Sequence, residues 1–147
     1  NVVFGGTETG CMGEFVNNLN KKKIKITAII PKKLHQDYNK LKFFDELIIT
    51  KDISKRTEQF ILKCDCFLAL PGGIGTLFEI IEIINKRVLG ETSKTIFLLD
   101  ELNYWDNLKL LFNHMVNEGF LDKNLIVNNL EIIKFCELKE RLINVQN

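Results

Sequence analysis

The sequence predicts an α/β protein with a Rossmann-like, doubly wound parallel sheet that carries helices on both faces. Short β-rich runs alternate with longer segments of helical period, which is the pattern of successive βαβ units. The strand candidates are nearly continuous apolar runs, as expected for strands buried on both faces. The two prolines, Pro31 and Pro71, each directly follow a strand candidate and mark its end.

The predicted elements alternate along almost the whole chain. The predicted strands are Val2–Phe4, Ile24–Ile30, Leu47–Thr50, Cys66–Leu70, Thr95–Leu99 and Leu125–Val127. The predicted helices are Met12–Asn20, Asp52–Lys63, Thr76–Leu89, Trp105–Asn117 and a C-terminal helix from about Leu130 to Ile143. Because the chain opens directly on an apolar, extended run without an initiator methionine, we expect it to be a piece of a longer chain.

Length and composition predict one soluble domain over residues 1–147. Charged residues make up 27% of the sequence and the net charge is +1, so we expect no nucleic-acid partner. No apolar run approaches the ~20 residues that span a membrane, which predicts no membrane partner. The four cysteines lack zinc-site spacing and fit a reducing compartment, so we expect a cytoplasmic protein without a metal.

The first glycine-rich stretch lies between the first predicted strand and the first predicted helix. Glycines there let the backbone turn sharply and approach a ligand, while the N-terminus of the following helix favours an anion. The pattern is neither a P-loop nor the dinucleotide fingerprint, and a tight structural turn explains it equally well. The candidate phosphate-binding residues of this stretch are Gly5, Gly6, Thr7, Gly10, Met12 and Gly13.

The second glycine-rich stretch is a more specific signal for a ligand-binding loop. It directly follows an apolar strand and leads directly into a strong predicted helix. The backbone amides of Gly73, Gly75 and Thr76 are candidates to hold a phosphate, and the Thr76 hydroxyl adds one donor. Pro71 and Gly72 complete the candidate binding loop. In open α/β sheets, ligands bind beyond the carboxyl ends of the strands, where this loop is predicted to lie.

Three charged side chains are candidates for chemistry beside this loop. Glu79 follows Gly75 by four residues, which places its carboxylate on the helix face above the glycine turn, and Glu82 follows as a supporting residue. A simple helix-terminal acid also explains Glu79. Arg56 lies in the first turns of a helix that Asp52 is predicted to cap, and a solvated surface position explains Arg56 as well.

The segment Pro71–Glu79 resembles the signature of the Lonely Guy family, Pro-Gly-Gly-x-Gly-Thr-x-x-Glu, without a gap. These enzymes are cytokinin riboside 5′-monophosphate phosphoribohydrolases that were long labelled possible lysine decarboxylases. The resemblance covers nearly the whole chain. It also includes the Gly-Gly turn with Met12-Gly13, Ile29–Lys32, Leu89-Gly90, Tyr104–Leu108 and Glu118–Phe120.

The resemblance implies hydrolysis of the N-glycosidic bond of a nucleoside 5′-monophosphate, either a cytokinin riboside monophosphate or an AMP-like nucleotide, to free base and ribose 5-phosphate. It places Glu79 and Arg56 at the positions of the family's catalytic pair. It further implies cytokinin activation, no cofactor, and a homodimer or larger homo-oligomer. The apolar helix that carries Glu79 would then pack against its own copy.

The sequence departs from the family pattern in three places. By the resemblance, the family's first strand and its serine-containing loop would precede Asn1, so we expect both to be missing from this chain. Thr7 stands where the family usually has a third glycine, and Glu8 adds a negative charge beside the proposed phosphate. The segment Ile53–Thr57 keeps Arg56 but lacks the lysine that follows it in the family. Thr7 and Glu8 favour the alternative of a non-catalytic carrier for a nucleotide or molybdenum cofactor. Lysine decarboxylation is rejected, because no lysine has a recognisable pyridoxal phosphate context.

Overall fold

The computed structural model describes residues 1–6, 10–20, 24–35, 44–124 and 130–145. The chain divides into two compact units, Asn1–Cys64 and Asp65–Asn147, and each is described by itself. Each unit contains a three-stranded parallel sheet flanked by helices, which confirms the predicted Rossmann-like α/β class. No helix in these described ranges is long and apolar enough to cross a membrane.

The first unit is built around its second strand. Its elements are β1 (Val2–Phe4), α1 (Gly10–Asn20), β2 (Ile26–Pro31), α2 (Lys32–His35), β3 (Glu46–Thr50) and α3 (Ile53–Lys63). β2 pairs in parallel with β1 on one side and with β3 on the other. The register places Phe4 beside Ala28 and Pro31 beside Thr50.

Both faces of β2 are buried, which explains its unbroken apolar sequence. Ile26, Ala28 and Ile30 form a core cluster with Phe4 and with Val16 of α1. Side chains alternate between the faces of a strand, so Thr27 and Ile29, which are also buried, face the other way. Helix α3 contacts β2, and we place it on that second face. The sheet of the first unit is therefore covered on both sides.

A small ion-pair cluster lies at the start of β3. The Glu46 carboxylate accepts from the Lys25 ammonium at 3.1 Å and from the Lys63 ammonium at 3.3 Å. Hydrogen bonds from these two lysines hold the pKa of Glu46 below its usual range. The cluster is exposed, so it joins β3 to the end of α3 at the surface of the first unit.

The second unit repeats the alternation of strands and helices. Its elements are β4 (Phe67–Ala69), α4 (Ile74–Val88), β5 (Ile96–Leu99), α5 (Asp106–Asn117), β6 (Leu130–Ile133) and α6 (Phe135–Val145). β5 is the central strand and pairs in parallel with β4 and β6. Its Ile96 and Leu98 pack against Ile80 and Ile83 of α4 and against Trp105. This cluster fixes α4, the helix that carries the glycine signature, to the sheet.

The predicted C-terminal helix is wrong over its first residues. Leu130–Ile133 forms the strand β6, with Ile96 beside Leu130 and Leu99 beside Ile133, and the helix begins only at Phe135. A short apolar run fits a helix and a strand equally well by spacing, and here pairing with the buried strand β5 decides the conformation. The strand predicted at Leu125–Val127 lies outside the described residues.

Candidate functional site

The first glycine-rich stretch joins β1 to α1 in the first unit. Gly6 has a φ of +79°, a conformation that costs little only for glycine. A methyl group added at Gly6 would lie within 2.5 Å of the Ile30 Cδ1 atom. Gly6 is therefore required by the turn and by its packing on β2, as the alternative of a structural turn predicted.

The other candidates of this stretch occupy different environments. Gly10 opens α1 with a φ of +65°, and Gly13 is buried within α1. Gly5 follows β1 and is half-buried, while Met12 packs against the core of the first unit. Thr7 and Glu8 lie outside the described residues. Within this stretch, Gly5 and Gly10 are the described candidates that neither sit in the core nor press against another strand.

Arg56 lies in the first turns of α3, as predicted. Asp52 caps this helix, because its carboxylate accepts a hydrogen bond from the Lys55 N–H at 2.9 Å. The Arg56 side chain is half-buried, and its guanidinium carbon lies 5.7 Å from the centre of the Phe60 ring, within the range of a cation–π contact. Its Nε atom is buried. Arg56 is therefore held against its own helix rather than extended into solvent.

The second glycine-rich stretch forms the loop between β4 and α4. Helix α4 begins at Ile74, two residues before the predicted start, with Gly73 as its N-cap. The first hydrogen bond of the helix joins the Leu77 N–H to the Gly73 carbonyl at 3.1 Å. The N–H groups from Ile74 to Thr76 have no carbonyl four residues earlier within the helix. These donors, with the positive end of the helix dipole, can hold an anion.

The glycines of this loop differ in what surrounds them. A methyl group added at Gly72 would lie 2.9 Å from the Thr76 Cβ atom, so Gly72 packs closely against the Thr76 side chain. At Gly73 and Gly75, an added methyl group would meet no described atom within 4 Å. Neither residue has a positive φ. The fold of the second unit thus needs glycine at position 72 but not at positions 73 and 75.

The two candidate acids lie on α4 above this loop. Glu79 is four residues after Gly75 and Glu82 is one turn further, and both side chains are half-buried. Residues at these spacings lie on one side of a helix, so the carboxylates follow one another up from the N-terminus. The second unit therefore joins an anion-binding helix terminus to a partly desolvated carboxylate.

Tyr104 belongs to the same region but was not a predicted site residue. Its hydroxyl donates a hydrogen bond to the Gly72 carbonyl at 2.6 Å. The Tyr104 N–H donates to the carboxylate of Asp100 at 2.6 Å, and Asp100 is only 2% exposed. The signal in the sequence was the position of these residues just after β5, at the edge where ligands bind in such sheets.

A cleft of about 350 Å³ lies elsewhere in the second unit and contains none of the predicted site residues. It lies near the amino ends of β4 and β5, beside Asp65 and the segment Ser93–Thr95, and helix α6 contributes Arg141. Ligands in open α/β sheets bind at the opposite, carboxyl edge. We therefore place the candidate site at the Pro71–Thr76 loop and not in this cleft.

Cys64 and Cys66 lie on either side of Asp65 just before β4, and both are half-buried. Burial, together with the neighbouring Asp65 carboxylate, raises the pKa of the Cys66 thiol. A raised pKa keeps this thiol protonated near neutral pH and makes it a poor nucleophile. In the described part of the chain, no three His, Cys, Asp or Glu side chains form a group that could hold a metal ion.

Parallel sheets, flanking helices and a glycine-rich strand–loop–helix define this chain as a Rossmann-like α/β protein. The profile of the family described as "possible lysine decarboxylase" matches residues 12–144. The chain belongs to this family, which is the Lonely Guy family that its motifs resemble.

Curated relatives carry more specific names. The chain is 33% identical over 121 residues to a probable cytokinin riboside 5′-monophosphate phosphoribohydrolase of Oryza sativa subsp. japonica, covering 82% of the chain and 53% of the relative. It is 32% identical over 121 residues to a cytokinin riboside 5′-monophosphate phosphoribohydrolase of Arabidopsis thaliana, with the same coverage. A protein of that name from Mycobacterium marinum is 26% identical over 135 residues, which cover 88% of the chain and 72% of the relative. The chain thus spans about half the length of the first two relatives.

Proposed function

We propose that the protein hydrolyses the N-glycosidic bond of a nucleoside 5′-monophosphate and releases the free base and ribose 5-phosphate. The single observation that carries this proposal is the loop before α4, where Gly73 and Gly75 face open space beside donor N–H groups. Gly75 has no positive φ, and an added methyl group there would meet no described atom within 4 Å, so close approach of a ligand is a physical reason for glycine at this position. The names of the curated relatives support a phosphorylated nucleoside as that ligand.

The proposed reaction needs no group beyond the chain and water. The C1′–N bond breaks with its electron pair remaining on the base nitrogen, and positive charge develops on the sugar. The Glu79 carboxylate stabilises this charge and accepts a proton from the attacking water. The water oxygen bonds to C1′, and the proton that Glu79 accepted passes, directly or through solvent water, to the base nitrogen, which regenerates the Glu79 carboxylate. The family resemblance assigns Arg56 as the second catalytic residue, and a guanidinium can bind a phosphate or a carboxylate in two-pronged fashion.

The test is base release from AMP and from its N6-isopentenyl derivative by the purified full chain. Glu79→Gln removes the negative charge at nearly constant shape, and we expect it to lower kcat by ~10²-fold to 10⁴-fold, the usual range for a lost general acid–base group. Glu140→Gln, on the exposed side of α6, is the matched control and is expected to leave the rate unchanged. Tight nucleotide binding without base release, unaffected by Glu79→Gln, would replace this proposal with the carrier alternative.

We also propose that the active form is a homodimer built on α4. One side of this helix packs on the sheet, but the other exposes an apolar stripe of Ile74, Phe78, Ile81 and Val88. Ile74 is 82% exposed and Phe78 is 51% exposed, which is costly for side chains of this size. A second copy of the same helix offers a matching apolar stripe across a two-fold axis.

The oligomeric state in solution tests the dimer. Light scattering during gel filtration is expected to give twice the mass of one chain for the wild type and the mass of one chain for Phe78→Glu. Leu62→Glu, at an exposed apolar position on α3, is the control and should remain dimeric. A wild-type monomer at high concentration would contradict this part of the proposal.

A further inference from the structure

We infer that Tyr104 is a positioning residue that sets the direction of the Gly73 N–H in the proposed phosphate-binding loop. This inference rests on the proposed function and deepens it. Its geometric basis is the 2.6 Å hydrogen bond from the Tyr104 hydroxyl to the Gly72 carbonyl, which links the loop after β5 to the loop after β4. The two residues are 32 positions apart in the sequence, so this bond is a tertiary contact and not part of a local turn.

The hydrogen bond fixes a peptide plane and not only an atom. The unit that joins Gly72 to Gly73 is planar and trans, so its carbonyl and its N–H point in opposite directions. With the Gly72 carbonyl held on Tyr104, the Gly73 N–H is turned to the other side of the loop. Two adjacent glycines have wide conformational freedom, and without this restraint the plane could rotate. Tyr104 thus orients an amide donor that the backbone alone leaves free.

Tyr104 is itself held from several sides. The Asp100 carboxylate accepts from the Tyr104 N–H, and the Asp100 N–H donates to the Ile133 carbonyl at 2.9 Å. The Lys134 ammonium donates to the Asp100 carbonyl, so the end of β6 supports the same loop. The Tyr104 ring also meets the Trp105 ring edge to face, with 4.9 Å between their centres.

Trp105 anchors this arrangement in the core. It is buried, and its indole N–H donates to the Leu99 carbonyl at 3.1 Å. A hydroxyl carried on such a fixed support can hold a mobile acceptor in one orientation. A buried carboxylate such as Asp100, which no proposed catalytic step uses, is explained by this supporting role.

Tyr104→Phe tests the inference, because it removes the hydroxyl and keeps the ring on Trp105. We expect the Kd for ribose 5-phosphate, measured by calorimetry, to rise about 5-fold to 20-fold, which is less than for complete loss of a hydrogen bond to an anion, because the Gly73 N–H loses its orientation but remains in the loop. KM for AMP should rise in parallel with little change in kcat. Binding of adenosine, which lacks the phosphate, should be unchanged.

Thr92→Val is the matched control, because it removes a hydroxyl that accepts from the Lys94 N–H at 3.3 Å before β5. This variant should bind ribose 5-phosphate like the wild type, and both variants should unfold near the wild-type temperature. Equal affinity of Tyr104→Phe and wild type for ribose 5-phosphate, or an equal loss for adenosine, would overturn the inference while leaving base release intact. A different result would reject the proposed reaction alone: the wild type releases no base, yet it binds ribose 5-phosphate and Tyr104→Phe weakens that binding as expected.

Discussion

Replacing Gly75 with alanine should stabilise the protein and impair its activity at the same time. Gly75 lies in the first turn of α4, where glycine is less favourable than alanine by ~0.5–1 kcal/mol. The added methyl group meets no described atom within 4 Å, so no steric cost offsets this gain. For a chain of this size the gain corresponds to a rise of roughly 1–4 °C in Tm. Thermal unfolding followed by circular dichroism would measure it.

The loss of activity follows from where that methyl group points. The Cα–Cβ bond of a helical residue tilts toward the helix N-terminus, so the methyl group at position 75 enters the region in which the phosphate is proposed to bind. Loss of one hydrogen bond to a charged group corresponds to ~10-fold to 100-fold in affinity, and we expect kcat/KM for AMP to fall by that factor.

Asn113→Ala is the control that separates the gain in stability from the loss of activity. Like Gly75→Ala, it replaces a weak helix former with alanine, but at an exposed position on α5. This control should gain stability without losing activity. A Gly75→Ala variant that is more stable and fully active would refute the proposed position of the phosphate. A variant that is clearly less stable would refute the open space around Gly75.

Three further predictions concern the rest of the chain. Gly6→Ala should destabilise the protein by ~2–4 kcal/mol in denaturant unfolding, because a strained positive φ adds to overpacking against β2. Gly10→Ala introduces the backbone strain without the overpacking and should cost ~1 kcal/mol. Equal costs for the two variants would contradict the packing argument. Because the two lysine partners lower the folded-state pKa of Glu46, its stabilisation is present above the unfolded-state pKa and is lost as the pH falls through the folded value. Glu46→Gln should therefore lower Tm at pH 7 and leave it unchanged near pH 2, and a pH-independent difference would exclude this charge effect. At pH 7, maleimide should label exposed Cys11 well before Cys66, whose thiol pKa is raised; equal rates would show that Cys66 is accessible and ionised.

Elements with a strong local signal could be predicted from the sequence. The buried run of β2 and the capped start of α3 at Asp52 carry their own signals, an unbroken apolar stretch and a side-chain cap. The start of α4 was placed two residues late, because glycines at positions 73 and 75 obscure a helix whose N-terminus they form. Such boundaries depend on backbone hydrogen bonds that residue type does not reveal.

What the sequence could not reveal depends on contacts between distant segments. Leu130–Ile133 becomes a strand because β5 offers it a partner, and its spacing alone does not distinguish a strand from a helix. Tyr104 lies in a stretch that resembles the family, but no role for it follows from the sequence, because its hydrogen-bond acceptor at Gly72 lies 32 residues away. Candidate loops can thus be located from strand ends, but the side chains that support them require tertiary structure.

The described glycines of the two motifs can be separated by their surroundings, and the separation bears directly on function. Gly6 and Gly72 are required by the protein itself, because a side chain at either position would collide with Ile30 or Thr76. Gly73 and Gly75 have no positive φ, and a methyl group added at either would meet no described atom within 4 Å. Gly75 lies inside the first turn of α4, where glycine is less favourable than alanine, so its presence there is consistent with a requirement from a bound ligand. An anion held by the first amides of α4 meets that requirement, because its oxygen atoms must come within hydrogen-bond distance of the backbone.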